Sequence, residues 1–557
     1  MIGISNMNYK DEYERWLINS NDDIKEELKA YDESLIEDAF YKDLSFGTGG
    51  LRGTIGAGTN RMNVHTVAKA SQGLANYLKK HFNNPSVVIG YDSRIKSDVF
   101  AKTASDVFLS NGINVYRLNR LLPVPTVSYA TRYLKASCGV MITASHNPSK
   151  YNGYKVYGQD GCQITTEVVK EILDEINKID IFNDVLINTN KEPNWIKEEV
   201  LDSFISEIKK QSVLYGEEIN KDVAIVYSPL NGTGLEPVTR VLKEEGYSNI
   251  TIVEEQRNPD GNFPTCPYPN PEIKQALQLG LEYCTRVNAD LMLATDPDSD
   301  RVGIAVKDNN EYKLLTGNEV GLLLLDYICS QKTKHNKLPN NPLLIKTIVT
   351  IDMDDRIAKS YGLDTINVLT GFKFIGEQIG FLENKHEEDR YVFGFEESYG
   401  YLTGTYVRDK DAVDGAYMIV EMFSYYKTRN ISLLDKLNEL YTKFGYCLNT
   451  LHSFEFEGSK GMLKMNEIMK RFHNEINLNT TIVNKKIESI EDYSKGLNGL
   501  PKSDVLKYRL QDNCSIVVRP SGTEPKLKVY ISITANNKEE AQVIENKVVE
   551  ELKGYFE

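Results

Sequence analysis

Asp296, Asp298 and Asp300 stand at alternate positions in the run Asp-Pro-Asp-Ser-Asp-Arg that follows the strand-like segment 289–295. Carboxylates spaced in this way can converge on one hard cation, and Mg²⁺ is held by a few carboxylates together with phosphate oxygens. A calcium EF-hand loop is excluded, because its glycine would fall on Arg301 and its bidentate glutamate on Lys307. The plainer alternative is a solvated acidic turn, which the mutual repulsion of three carboxylates disfavours without a counter-ion.

Three other loops carry reactive or anion-binding residue types. Thr143-Ala144-Ser145-His146-Asn147-Pro148 ends the apolar run 139–142 and places Ser145 as a nucleophile or phosphate carrier. Ser, Asn and Pro also make ordinary turns. A serine hydrolase fits poorly, since there is no GxSxG elbow and a sequence-adjacent histidine is rarely the triad base. In Gly394-Phe395-Glu396-Glu397-Ser398-Tyr399-Gly400, Glu396 and Ser398 can grip sugar hydroxyls, although alone the segment reads better as an ordinary turn. Arg519-Pro520-Ser521-Gly522-Thr523-Glu524-Pro525 offers a guanidinium fork, hydroxyls and exposed backbone N–H groups to a phosphate dianion, or else is a plain hairpin turn. Together, in this order, the four loops describe a cleft with a phosphate near Arg519 and a free sugar hydroxyl facing Ser145.

Such loops need strands and helices to hold them. Segments 86–90 and 139–143 read as strands and 99–110 and 167–176 as helices; the alternation restarts at 223–227, 289–295 and 343–351. The pattern predicts three α/β domains, 1–210, 211–332 and 333–445, the first opening with a helical extension that carries Tyr13, Trp16, Leu17, Ile24 and Leu28. A smaller α+β domain, 446–557, has strands at 514–518 and 527–534 and a last helix with Ala541, Ile544, Val548 and Leu552 on one face.

Composition narrows the class. A chain of 557 residues exceeds one core and fits roughly three to five domains. The excess of 79 Asp plus Glu over 65 Lys plus Arg gives a net charge of −14 and argues against nucleic acid as partner. The apolar run 320–329 is too short to cross a bilayer and reads as buried core. Seven scattered cysteines without a CxxC pair argue against structural zinc and disulfides, and the polar N-terminus gives no export signal, so a cytoplasmic location is expected. Monomer and homo-oligomer both stay open.

From about Ser45 to the C-terminus the four loops resemble those of the α-D-phosphohexomutase superfamily, which includes phosphoglucomutases, phosphomannomutases and phosphopentomutases. The resemblance implies three α/β domains of one topology with mixed sheets, plus a C-terminal domain like the TATA-box-binding protein, around one cleft. It implies phosphate carried on Ser145, with Mg²⁺ held by that group, Asp296, Asp298 and Asp300. Glu396 and Ser398 match the sugar contacts, and Arg519, Ser521, Gly522 and Thr523 the phosphate loop. Arg52 in Leu51-Arg52-Gly53 and Lys155 match charges beside the phosphoserine, while Gly371 and Lys373 in Thr370-Gly371-Phe372-Lys373 match a sugar-facing loop whose lysine is a candidate acid or base. The implied reaction passes through a bisphosphate that turns end for end before the second transfer.

The segment Phe-Glu-Glu-Ser-Tyr-Gly is similar to glucose-type loops, so the expected reaction interconverts glucose 1-phosphate and glucose 6-phosphate through glucose 1,6-bisphosphate. Residues Asn258 to Thr265 and the N-terminal extension also resemble the phosphopentomutase branch, which keeps pentose and mannose phosphates as alternatives. A haloacid-dehalogenase-type phosphatase using Asp296 and Asp298 would leave the Ser145 and Arg519 loops unexplained, and a non-catalytic sugar-phosphate sensor would leave the metal ligands so.

Overall fold

The computed structural model describes residues 8–47, 49–456, 458–497, 499–520 and 526–556. Strands buried on both faces are continuously apolar, and such runs form the middle of three sheets here. The first sheet holds β1 (Gly50–Thr54), β2 (Ser86–Tyr91), β3 (Asn114–Arg117), β4 (Cys138–Ile142), β5 (Tyr151–Gly158) and β6 (Asn194–Trp195), in the order β1-β5-β4-β2-β3-β6. The second holds β7 (Ile225–Ser228), β8 (Ile250–Ile252), β9 (Leu291–Thr295), β10 (Val302–Asp308) and β11 (Glu311–Leu315), ordered β11-β10-β9-β7-β8. The third holds β12 (Leu343–Thr347), β13 (Asp364–Val368), β14 (Tyr391–Glu396) and β15 (Gly400–Leu402), ordered β13-β12-β14-β15.

All three repeat one plan. Two neighbouring parallel strands lead to a third parallel strand, β4, β9 or β14, whose other edge pairs antiparallel with the next strand in the chain, β5, β10 or β15. The Ser145, Asp296 and Glu396 loops are the three connections between those antiparallel partners. They therefore occupy the same place in each domain, in line with the shared topology that the family resemblance implies.

The fourth sheet is wholly antiparallel: β16 (Tyr446–Glu455), β17 (Thr481–Ile482), β18 (Lys485–Asp492), β19 (Leu506–Leu510), β20 (Cys514–Pro520) and β21 (Lys526–Ala535), ordered β16-β21-β20-β19-β18-β17. Side chains alternate across β20. Ile516 and Val518 join a core with Phe472, Val548 and Leu552 from the helices Gly458–Glu475 and Lys538–Phe556, whereas Val517 belongs to the core shared with the third domain.

The N-terminal helices Tyr9–Asn19, Asp22–Lys29 and Glu33–Phe40 cover the first domain, where Trp16 is fully buried against Phe40, His65 and Phe182. The apolar run 320–329 lies inside the buried helix Gly317–Lys334, and no described helix is long and apolar enough to cross a membrane. One expectation is corrected. The strand expected over 343–351 stops at Thr347, because Thr350 folds back on it with N–H donated to the Thr347 carbonyl at 3.1 Å and the two hydroxyls 2.8 Å apart. Ile348, Val349 and Ile351 stay buried in this turn.

Candidate active site

The Ser145 loop is shaped from beneath by two residues that follow β2. Arg94 is buried, and its guanidinium donates to the carbonyls of Ser145, Asn147, Pro148 and Tyr151, the last two at 3.0 Å each. Asp92 accepts from Thr143 Oγ1 at 2.6 Å and from Ser97 Oγ at 2.8 Å, and Thr143 Oγ1 in turn accepts the Ser145 N–H at 2.8 Å. Gly153 on β5 makes room, since a Cβ there would meet the Thr143 carbonyl oxygen at 2.4 Å. Under these constraints Ser145 adopts a left-handed φ of 50°, unusual for a residue with a Cβ. Ser299 (52°) and Tyr399 (66°) do the same in the two equivalent loops.

The Asp296 loop closes on itself, with Asp296 Oδ1 accepting from the N–H groups of Asp300 (3.1 Å) and Arg301 (3.0 Å). It also touches every neighbour: the Asp298 carbonyl accepts from Val124 of the first domain, and the Ser299 carbonyl from Ala412 of the third. Asp296, Asp298 and Asp300 are buried, with one oxygen from each within 4.8 Å of the others. Ser145 Oγ donates to Asp296 Oδ2 at 2.8 Å and lies 3.1 Å from His146 Nδ1. Lys155 Nζ lies 2.9 Å from Asp298 and 3.4 Å from Asp300, and Lys410 Nζ lies 3.1 Å from Asp300 and 3.9 Å from Glu396.

The charges divide the triad. Burial, then the two other carboxylates, raises the Asp296 pKa well above its ordinary range. Burial would raise Asp300 as well, but Lys410, Lys155 and Arg301 outweigh it and hold that group ionised. Burial pushes Glu396 up to about 7, with Lys410 opposing. His146 is kept neutral by burial and by the nearby Arg301 and Arg52. Asp298 Oδ1 and Asp300 Oδ1 are buried without a hydrogen-bond partner among the described residues. Converging carboxylate oxygens with unspent acceptor capacity fit a hard divalent cation.

Arg52 on β1 reaches the same loop through Asn147 Oδ1 at 3.3 Å. Glu397 accepts from Thr347 Oγ1 at 3.3 Å, and Ser398 beside it is half-buried. Arg519 ends β20 with its guanidinium 5.9 Å from the Tyr530 ring. Its cross-strand partner is Lys528, whose pKa burial lowers, helped by Arg519 and Lys526. Like charges directly opposite on a sheet repel, so this pair destabilises the strand ends that carry it. Ser521, Gly522 and Thr523 lie outside the described residues. Gly371 (φ 118°) caps the helix Phe372–Asn384, where the Lys373 carbonyl accepts from the Cys162 thiol at 3.2 Å and burial lowers the Lys373 pKa.

Family models match most of the chain. The models for phosphoglucomutase/phosphomannomutase α/β/α domains I, II and III match residues 43–182, 202–310 and 316–444, and that for the C-terminal domain matches 475–551. The chain belongs to the phosphoglucomutase/phosphomannomutase family. It is 36% identical over 521 residues to a Staphylococcus haemolyticus protein named phosphoglucomutase, covering 90% of this chain and 93% of that one. A Staphylococcus saprophyticus phosphoglucomutase is 35% identical, covering 94% and 97%. The open-form crystal structure of Paramecium pp63/parafusin, a phosphoglucomutase, shares the fold with a TM-score of 0.69 and 16% identity over 92% of this chain and 96% of that one.

Within this family architecture, Ser145, Lys155 and the three aspartates are in direct contact, Glu396 joins them through Lys410, and Arg52 joins through Asn147. Sequence reasoning passed over Lys410, Asp92, Arg94 and Lys528. The available signals were the charged run Arg408-Asp409-Lys410-Asp411 before an apolar helix and Asp92-Ser93-Arg94 directly after a strand, both of which read locally as solvated turns.

Proposed function

We propose that this enzyme is a phosphoglucomutase that interconverts glucose 1-phosphate and glucose 6-phosphate through phosphorylated Ser145 and a glucose 1,6-bisphosphate intermediate. The observation that carries the reading is Ser145 Oγ hydrogen-bonded at 2.8 Å to a buried aspartate triad with unspent oxygens. The choice of glucose rests on the names of the relatives at 35–36% identity. Seven buried, free thiols support a cytoplasmic setting.

Asp296, Asp298 and Asp300 would hold Mg²⁺, which when bound neutralises charge on the transferring phosphoryl group. The remaining work falls to side chains. Arg52 and Lys155 face the phosphoserine dianion, whose charge of about −2 would otherwise sit beside three carboxylates. In the first transfer the P–Oγ bond to Ser145 breaks and a P–O bond to the sugar hydroxyl forms. The proton leaving the hydroxyl is matched by the one Oγ regains, and His146 Nδ1 lies 3.1 Å from that oxygen. Lys410, held as an ammonium by Asp300, Asp409 and Glu396 against the effect of burial, stabilises charge between the triad and the sugar. Glu396 and Ser398 orient the sugar hydroxyls, with Gly371 and Lys373 completing that wall and Lys373 a candidate acid or base. Arg519 and Lys528 grip the distal phosphate, together with Ser521, Gly522 and Thr523. Because the second transfer uses the other phosphate, this grip must serve both ends of the sugar and retain the bisphosphate between steps.

Purified protein with Mg²⁺ and a trace of glucose 1,6-bisphosphate should convert glucose 1-phosphate to glucose 6-phosphate faster than it converts mannose 1-phosphate or ribose 1-phosphate. Net release of inorganic phosphate without isomerisation would sink the mutase reading; faster pentose turnover would sink the choice of glucose.

A further inference from the structure

Between the third and fourth domains lies a second cluster of buried charge that the transfer chemistry does not use. Asp352 stands at the end of the turn that cuts β12 short. One of its oxygens accepts from Lys507 Nζ of β19 at 2.7 Å, and the other accepts from Ser515 Oγ of β20. Lys507 also donates to the Ile348 carbonyl at 2.9 Å. Arg509 Nη1 lies 3.6 Å from Asp352 and 3.9 Å from Asp355. Lys346 of β12 lies 2.5 Å from Asp354, 3.4 Å from Asp355 and 3.6 Å from Asp352. Arg509 Nε also lies 2.6 Å from Glu491 of β18, so Lys346, Lys507 and Arg509 face Asp352, Asp354, Asp355 and Glu491, and each carboxylate has a cation within 4.0 Å.

Its membership crosses the domain boundary at one residue above all. Lys346 and Asp354 both belong to the third domain, whereas Asp352 binds two strands of the fourth. On the third-domain side, the same turn begins at Thr347, whose hydroxyl donates to Glu397 within the Glu396 loop. On the fourth-domain side, Ser515 and Arg519 project from the same face of β20, four residues and about 13 Å apart. The covalent connection between the domains passes through Gly445 at φ 87°, between the helix Leu433–Phe444 and β16. The fourth domain is thus tethered at Gly445, packed on the third through the shared apolar core that holds Val517 and Tyr530, and hydrogen-bonded at Asp352, with Arg519 at the far end of the strand that carries Ser515.

We propose that Asp352 is a positioning residue for the mutase reaction: its pairing with Lys507 and Ser515 fixes the pivot about which the fourth domain brings Arg519 and Lys528 onto the distal phosphate. The proposal rests on the reading of those two cations given above. If only a fraction of molecules holds the fourth domain in the competent orientation, apparent affinity falls by that fraction while the chemistry of bound substrate is unchanged. Loss of a charge-assisted hydrogen bond is enough to shift such an equilibrium about tenfold. The signature is a rise in KM and in bisphosphate escape at nearly constant kcat.

The test compares Asp352→Ala, Ser515→Ala and Asp354→Asn with wild type in the full chain, recording KM and kcat for glucose 1-phosphate, release of glucose 1,6-bisphosphate per turnover, and thermal melting. Asp352→Ala should raise KM and bisphosphate release about tenfold with kcat within about twofold, and Ser515→Ala should move both in the same direction by a smaller factor. Asp354→Asn, which disturbs the same buried cluster inside one domain, should lower the melting temperature and leave KM and release unchanged. If Asp352→Ala does not fold, Ser515→Ala decides. Wild-type KM and bisphosphate release in folded Asp352→Ala or in Ser515→Ala would overturn the proposal, as would equal KM changes in Asp354→Asn. A wild type without mutase activity would instead remove the functional reading beneath it.

Discussion

Ser145 Oγ donates a 2.8 Å hydrogen bond to Asp296 Oδ2, joining the equivalent loops of the first two domains through side chains 151 residues apart. If Ser145 carries the phosphoryl group, Ser145→Ala should lower turnover by at least about a thousandfold, and labelled phosphate from glucose 1,6-bisphosphate should no longer enter the protein. Retained labelling in the variant would place the carrier elsewhere.

Metal removal should act on both rate and stability. A chelator should abolish turnover and added Mg²⁺ restore it. Because three converging carboxylates repel one another, saturating Mg²⁺ should also raise the melting temperature, by about 2 °C or more. Asp298→Asn should weaken that response and shift the Mg²⁺ activation midpoint upward.

Lys410 lies between Asp300 and Glu396 and ties the triad to the sugar loop. Lys410→Met should lower kcat roughly a hundredfold, the scale expected when one preorganised charge is taken from a developing anion. An effect confined to KM would limit Lys410 to binding.

Burial raises the Glu396 pKa to about 7, so the carboxylate form proposed to accept sugar hydroxyls is gained as pH rises through that value. kcat/KM should therefore climb between about pH 6 and 8, and Glu396→Gln should be slower with a flatter profile over the same range. A profile unchanged by the substitution would assign the titration to another group.

Arg519 and Lys528 face each other across β20 and β21. Lys528→Thr should stabilise the ligand-free fourth domain by about 0.5 kcal/mol in chemical denaturation, by relieving a like-charge pair, while raising KM about tenfold. Arg519→Ala should raise both KM and bisphosphate release. Improved stability without loss of affinity would separate this pair from phosphate binding.

The reactive loops were legible because their signals are local. Asp296, Asp298 and Asp300 are spaced by strand-like alternation, and Ser145 follows a strand whose apolar run is continuous because both its faces are buried. Lys410 was not legible, since a lysine among charged residues ordinarily points to water, and only packing against the second domain buries it. Arg94 likewise becomes a scaffold only when the Ser145 loop turns its carbonyls inward. The strand expected over 343–351 failed for a related reason: apolar Ile348, Val349 and Ile351 are buried by a turn at a domain seam rather than by continued pairing in a sheet.

By itself the sequence determined the alternation of strands and helices, the succession of α/β units, the smaller α+β tail and the residue types of the four loops, because these depend on side-chain periodicity and on chemistry between near neighbours. Tertiary structure alone decided which atoms of those loops meet, with Ser145 Oγ on Asp296 Oδ2 and Lys410 between Asp300 and Glu396. It also decided that Lys155 and Lys410 divide the triad's charge, and that Asp352 is hydrogen-bonded to Lys507 and Ser515 of the fourth domain. Those relations join groups such as Lys155 and Asp298, 143 residues apart. Their strength comes from burial, which removes water from between charges and makes each remaining partner count.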